Sequence, residues 1–342
     1  MTIEEAAGRI LPPDEEAMRA AQERLDTRAK LPGSLGGLET AVVRLAGVQR
    51  TAAPRLDGKR AVVFCADNGV TAEAISPSDP AVTAAQAVNF ARGGGTINAF
   101  ARRAGAEVQV VDIGIATPYK EEKVLRRVIR RGTGNIAAGP AMTREECCAA
   151  VEAGMALAAE GARDGVRLLL TGEMGIGNTT TSSAVAALLL GLPPEEVAAR
   201  GAGAPERVAH KAAVIRRALE TNRPDPSDPL DVLAKVGGLD MAGMCGLYLG
   251  GAAAGVAVMM DGVISCAAAL AAARLAPGAA AYMFPSHCSA EPAGRLLLGA
   301  LGMEPLITAG LCLGEGTGGV LGAALLDYAL DAYYQVVGID EI

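Results

Sequence analysis

The chain has 342 residues, about half of them apolar, which is enough to bury a large core and excludes a disordered protein. Lys and Arg number 31 against 38 Asp and Glu, a net charge of −7 with no long basic run, which excludes a general binder of phosphate backbones. Forty-three glycines, with no Trp, six Tyr and four Phe, point to an α/β protein with tight turns and close helix–sheet packing.

In chain order, the acidic start Met1–Glu5 lacks the basic and apolar regions of a signal peptide. The first 25 residues read as a helix, with Asp14 as N-cap after Pro12-Pro13 and with Met18, Ala21 and Leu25 on one face. The turn Leu31–Gly37 leads into a second helix through Leu38, Val42, Leu45 and Val48. From residue 60, short apolar runs alternate with helical stretches. Strands are expected at Ala61–Cys65, Val108–Ile113, Val166–Leu170, Val256–Met260, Ala281–Phe284 and Leu306–Leu313. Such alternation specifies a mostly parallel sheet with helices on both faces. The twenty uncharged residues Met241–Met260 are long enough to span a membrane, but half are Gly or Ala and no Lys/Arg cluster flanks them. They read as a buried helix running into a buried strand. A last helix covers Val320 to Tyr334. The two N-terminal helices and the last one are expected to form a small helical lobe (1–38 with 326–342) beside a large α/β domain at 39–325. Seven cysteines, odd in number and without a CxxC spacing, predict no disulfide framework and a reducing, cytoplasmic setting. His210 and His287 stand in no metal-ligand spacing, so no metal site is expected.

Polar residues fall where the apolar runs stop: Asp67, Asp112, Glu173, Asp261, Ser286 and Glu315. Ligands of open parallel sheets bind at the carboxyl ends of strands, so this pattern predicts a site with several carboxylates. Between a strand and a helix, Thr171-Gly-Glu-Met-Gly-Ile-Gly-Asn-Thr-Thr-Thr181 reads as a phosphate cradle. It approaches a P-loop, but Asn178 stands where that loop needs Lys. Gly314-Glu-Gly-Thr-Gly-Gly319 satisfies GxGxxG, yet Glu315 occupies the place of a pyrophosphate and the chain ends 23 residues later. A carboxylate held between glycines reads better as an exposed base. Ser286–Glu291 supplies side chains that line a pocket.

Taken in order, these segments resemble the nicotinate-nucleotide:dimethylbenzimidazole phosphoribosyltransferase family of cobalamin nucleotide-loop assembly. The resemblance is carried by Leu31-Pro-Gly-Ser-Leu-Gly36, Ala66-Asp-Asn-Gly-Val70, Ala74-Ile-Ser-Pro77, Val82-Thr-Ala-Ala-Gln86 and Arg92–Gly95. It continues through Val111–Gly114, Gly132–Ile136, Gly172–Thr180, Ala234–Gly238, Asp261-Gly262, Ser286–Glu291 and Gly314–Gly318. The loop Ser76–Val82 is about two residues longer than the family's pattern, so Ser76 or Ser78 meets the incoming base. The resemblance implies a Rossmann-like domain, a homodimer, and transfer of phosphoribose from nicotinate mononucleotide to an aromatic base, with no metal, redox cofactor, nucleic acid or membrane. It implies Glu315 as catalytic base and Glu173 as the second catalytic carboxylate. It places Ser76 and Gln86 at the base. Gly175, Asn178, Thr179, Thr180, Gly203, Lys211 and Ser289 fall at the 5′-phosphate. Asp261 and Leu313 fall elsewhere in the substrate site.

Overall fold

The computed structural model describes residues 1–201 and 207–342. The chain opens with three helices, α1 (Ile3–Arg9), α2 (Glu15–Asp26) and α3 (Gly37–Gln49). The single helix expected over the first 25 residues is thus two. Pro12-Pro13 removes the N–H groups and backbone freedom that a continuous helix needs. Asp14 then caps α2, accepting from the N–H of Ala17 at 2.9 Å.

The α/β region follows as β1 (Lys59–Ala66), α4 (Val82–Ala91), α5 (Thr96–Ala104), β2 (Ala106–Gly114), β3 (Leu125–Arg126) and α6 (Arg144–Arg163). Next come β4 (Leu168–Met174), α7 (Asn178–Leu190), α8 (Pro194–Val197), α9 (Arg207–Asn222), α10 (Pro229–Val236) and α11 (Leu239–Ala253). The chain closes with β5 (Ala257–Met260), α12 (Val263–Leu275), β6 (Met283–Pro285), α13 (Ala293–Ala300) and α14 (Thr317–Gln335). All strand pairs are parallel, in the order β3-β2-β1-β4-β5-β6 of a doubly wound sheet.

Five of the expected strands overlap observed ones. The sixth, Leu306–Leu313, is not a strand: it makes one bridge, Ile307 to His287, and most of its residues are exposed or half-buried. It runs beside the segment that follows the edge strand β6, joined to it by a few backbone hydrogen bonds such as Ile307 N–H to the Ser286 carbonyl at 3.0 Å. The two-residue β3 takes the opposite edge and is too short to announce itself by periodicity.

Alternate residues of β4 serve opposite faces. Thr171 reaches Tyr248 of α11, whereas Gly172 faces the turn before α14, where a Cβ would sit 2.6 Å from the Glu315 carbonyl oxygen. The uncharged stretch from 241 is α11 running into β5. Every residue from Leu239 to Ala252 is buried, and α6 packs across it at glycines: a Cβ on Gly154 or Gly246 would overlap the backbone of the other helix. Small residues let these backbones approach, which explains the glycine content without a membrane. Among the described residues, no helix is long and apolar enough to cross one.

The two chain ends meet. Arg24 Nε and Arg28 Nη1 donate to the carbonyls of Tyr333 (3.1 Å) and Val336 (3.0 Å), and Arg28 bridges Gly338. Helix α14 also packs on α5, β4 and β5.

Candidate active site

In this strand order the crevice opens at the carboxyl ends of β1 and β4, where the connections leave toward opposite faces. A cavity of about 280 Å³ lies at this end of the sheet. Glu173, the penultimate residue of β4, projects into it. The chain then turns through Gly175-Ile-Gly177, with Gly177 in the left-handed region (φ 97°), and enters α7 without a side-chain cap. The Asn178 and Thr180 N–H groups at that helix end already donate to the carbonyls of Gly175 (3.0 Å) and Gly177 (2.9 Å), and the helix dipole there favours an anion. Thr83 of α4 steadies the turn, its Oγ1 accepting from the Ile176 N–H at 3.2 Å.

Asn178 Nδ2 donates both to Glu173 Oε2 and, at 3.0 Å, to Asp240 Oδ2. Sequence reasoning misses Asp240 as a site residue. Its one signal in the sequence is a lone acid after Gly237-Gly238, at the edge of a long uncharged run. Burial, and then the Asp240 and Asp261 charges, push the Glu173 carboxyl up to about 8. Burial likewise raises Asp240 to about 6.

Opposite β4, Glu315 sits in the turn that starts α14. It adopts φ 64°, a left-handed conformation rare for a residue with a Cβ, between Gly314 (φ 82°) and Gly316 (φ 96°). Its N–H donates to Glu173 Oε1 at 3.3 Å. Its Oε2 is buried and has no protein partner among the described residues. Burial, and then the Asp261 charge, raise its carboxyl above the ordinary value. Asp261 is buried after β5, and its two carboxylate oxygens accept from the N–H groups of Gly316 and Gly319, each at 3.0 Å.

The other end of the cavity is cationic. Lys211 of α9 is buried and donates to Thr179 Oγ1 (3.1 Å) and to the carbonyls of Ala199 (3.2 Å) and Arg200 (3.0 Å). Among the described residues it forms no ion pair, and burial lowers its pKa. Glu291, at the end of the Ser286–Glu291 motif, holds the segment beside it by accepting from the N–H groups of Arg200 (2.7 Å) and Gly201 (2.8 Å).

Of the residues expected in the site, Glu173, Glu315, Ser76, Gly175, Asn178, Thr179, Lys211, Asp261, Ser289 and Leu313 line this one cavity. Ser76 lines it and Ser78 does not; the Ser78 N–H donates to Ser76 Oγ at 3.2 Å, folding the longer loop back on itself. Gln86 and Thr180 do not line it. Gln86 accepts from Asn89 on its own helix at 3.0 Å, and Thr180 points into the protein from the first turn of α7. Gly203 lies outside the described residues. His287 also lines the cavity, its ring packed against Gly318 and its Nδ1 3.0 Å from Ser286 Oγ. The arrangement suits a ligand with an anionic group at one end and a cationic or proton-bearing group between two carboxylates at the other.

Residues 10–341 match a family with the description "Phosphoribosyltransferase". The nicotinate-nucleotide–dimethylbenzimidazole phosphoribosyltransferase of Acetivibrio thermocellus is 45% identical over 319 residues, covering 93% of this chain and 91% of its own. That of Desulforudis audaxviator is 47% identical over 320 residues, covering 93% and 91%. The crystal structure of CobT from Thermus thermophilus superposes with a TM-score of 0.90 at 41% identity, over 95% of this chain and 98% of that one. The strand order, the carboxylate-lined crevice and these likenesses agree: the chain belongs to the nicotinate-nucleotide–dimethylbenzimidazole phosphoribosyltransferase family and is an enzyme.

Proposed function

We propose that the chain transfers phosphoribose from nicotinate mononucleotide to 5,6-dimethylbenzimidazole or a related aromatic base, giving an α-ribosyl base phosphate, nicotinate and a proton. The observation that carries this reading is the buried carboxylate oxygen of Glu315, without a partner among the described residues, in one cavity with Glu173 and Lys211.

Nicotinate bound to ribose is already a pyridinium, so the C1′–N bond breaks with its electron pair returning to the ring nitrogen and no acid is needed. One imidazole nitrogen of the incoming base forms the new bond to C1′. The proton on its other nitrogen passes to Glu315, whose raised pKa makes it a stronger base than an exposed carboxylate. Positive charge develops on the sugar as the old bond breaks, and the Glu173 carboxylate stabilises it. Attack from the face opposite nicotinate inverts C1′ and accounts for the α product. The 5′-phosphate is assigned to Lys211, Thr179 and the start of α7, and the incoming base to Ser76 and Leu313. No electrons are gained or lost, so this reading needs no redox cofactor.

The homodimer of the resemblance agrees with exposed leucines on the N-terminal segment, Leu11 and Leu31. A cytoplasmic setting agrees with seven unpaired cysteines. The joined chain ends favour a terminal lobe of residues 1–38 and 326–342. The test is nicotinate release from nicotinate mononucleotide with and without dimethylbenzimidazole. Release only with the base, and an α-anomeric product by NMR, are expected. Binding of the mononucleotide without turnover at any base concentration would refute the reading.

A further inference from the structure

We infer that Asp261 is a positioning residue, which holds the Gly314–Gly316 turn, and with it Glu315, in register with Glu173. The inference rests on the assignment of Glu315 as base. Helix α14 has no side-chain cap within its own segment. Asp261, from the end of β5, supplies one in trans: Oδ2 accepts from the Gly316 N–H and Oδ1 from the Gly319 N–H, both at 3.0 Å. A buried carboxylate bridging two donors at a helix N-terminus gains charge-assisted hydrogen bonds and a favourable dipole. Glu315 needs such a restraint. Its left-handed backbone is strained for a residue with a Cβ and would relax if the adjoining Gly316 were released.

Asp261 is itself held. Its N–H donates to Ser265 Oγ at 3.0 Å. Ser265 Oγ lies 2.7 Å from Thr171 Oγ1 and 2.6 Å from the Tyr248 hydroxyl, all buried. Thr171 stands two residues before Glu173 on β4. A continuous set of hydrogen bonds therefore links the strand that carries one carboxylate to the turn that carries the other. Both of its oxygens accept from backbone donors of the turn and helix start that carry Glu315, which is the contact a positioning role requires.

The charge of Asp261 acts on Glu315 as well. The titratable groups that share the cavity with Glu315 are Glu173 on β4 with Asp240 of α11 behind it, Asp261 after β5, His287 and Glu291 after β6, Cys312 before the turn, and Lys211 of α9 across the cavity. Asp261 opposes ionisation of Glu315.

The test is steady-state kinetics of Asp261→Asn across pH, beside Glu315→Gln. In Asp261→Asn, kcat is expected to fall by about 10²-fold, the cost of a small misplacement. The KM for nicotinate mononucleotide should stay within about threefold. The acid limb of kcat should move to lower pH, because a carboxylate that opposed ionisation is gone. A loss confined to KM, as for a ribose ligand, overturns the inference, and so does an unmoved limb with unchanged kcat. Turnover retained in Glu315→Gln would instead sink the base assignment. Should Asp261→Asn fail to fold, Ser265→Ala frees the backbone of Asp261 and keeps its charge. A several-fold lower kcat, with unchanged KM and limb, is then expected, and wild-type kcat overturns the inference.

Discussion

A carboxylate acts as a base only when ionised, so under the role proposed for Glu315 its environment sets the pH at which the enzyme works. Its pKa is raised, so kcat should climb with pH along a limb placed above the ordinary carboxylate value. Glu315→Gln keeps the shape and removes the base; kcat should fall by about 10²–10⁴-fold with little change in mononucleotide binding. Near-wild-type turnover would contradict the assignment. Glu173 poses a different question. At about 8 its carboxyl carries a proton in the empty enzyme at pH 7, whereas a pyridinium beside it favours the ionised form. Binding of nicotinate mononucleotide should therefore release a proton. Calorimetry in buffers of different ionisation enthalpy measures this; the buffer dependence should vanish in Glu173→Gln, and equal heats for wild type would contradict it. At the other end, Lys211→Met removes a buried cation. The KM for the mononucleotide should rise by about 10–100-fold, the usual worth of a hydrogen bond to a charged group. Turnover of the nucleoside lacking the 5′-phosphate should be unchanged, and an equal loss with both substrates would remove Lys211 from the phosphate.

The elements that carry the proposed catalytic carboxylates are two turns that meet across the crevice, β4 into α7 and the Gly314–Gly316 turn into α14. Each carries a carboxylate and a run of glycines, and in each the glycines are there to let something approach. A Cβ on Gly314, already at φ 82°, would sit 2.5 Å from Glu173 Oε1. Gly314→Ala should thus force the two carboxylates apart, lowering kcat far more than either KM in a protein whose circular dichroism is unchanged; a KM-only effect would show that their spacing does not matter. Both turns are legible in the sequence because glycines beside a Thr or Asn at the start of a helical run have few other uses. The segment Leu306–Leu313 misleads for the opposite reason. An apolar run says that a segment can be a strand, but a strand exists only where a neighbour offers a ladder, and beyond β6 only a single bridge forms.

Across the molecule, burying acids at the sheet end has a cost that pH reveals. Glu173 has its folded pKa raised to about 8 from an ordinary 4.5, so between those values the folded state binds the proton more tightly than the unfolded chain. Its contribution to stability is full below the ordinary value and is lost as pH rises through about 8. The Tm of wild type minus that of Glu173→Gln, without substrate, should therefore fall from pH 6 to about pH 8 and level off above it. A difference that grew with pH would show that the carboxyl is ionised in the folded protein.

The alternation of apolar runs and helical stretches determined the sheet and its parallel sense, because burial on both faces demands that pattern wherever the strands sit in the chain, and the acids where those runs stop marked the end that holds the carboxylate-lined cavity. It likewise determined that α11 is a buried helix, since half of the run that follows Asp240 is small residues. The partnerships within the site came from folding alone. Asp240 reaches Glu173 through Asn178, Asp261 caps a helix more than fifty residues later, and Gln86 turns to its own helix and away from the cavity. These contacts depend on where side chains from distant segments point once the sheet has closed, and nothing in local periodicity encodes a direction of that kind.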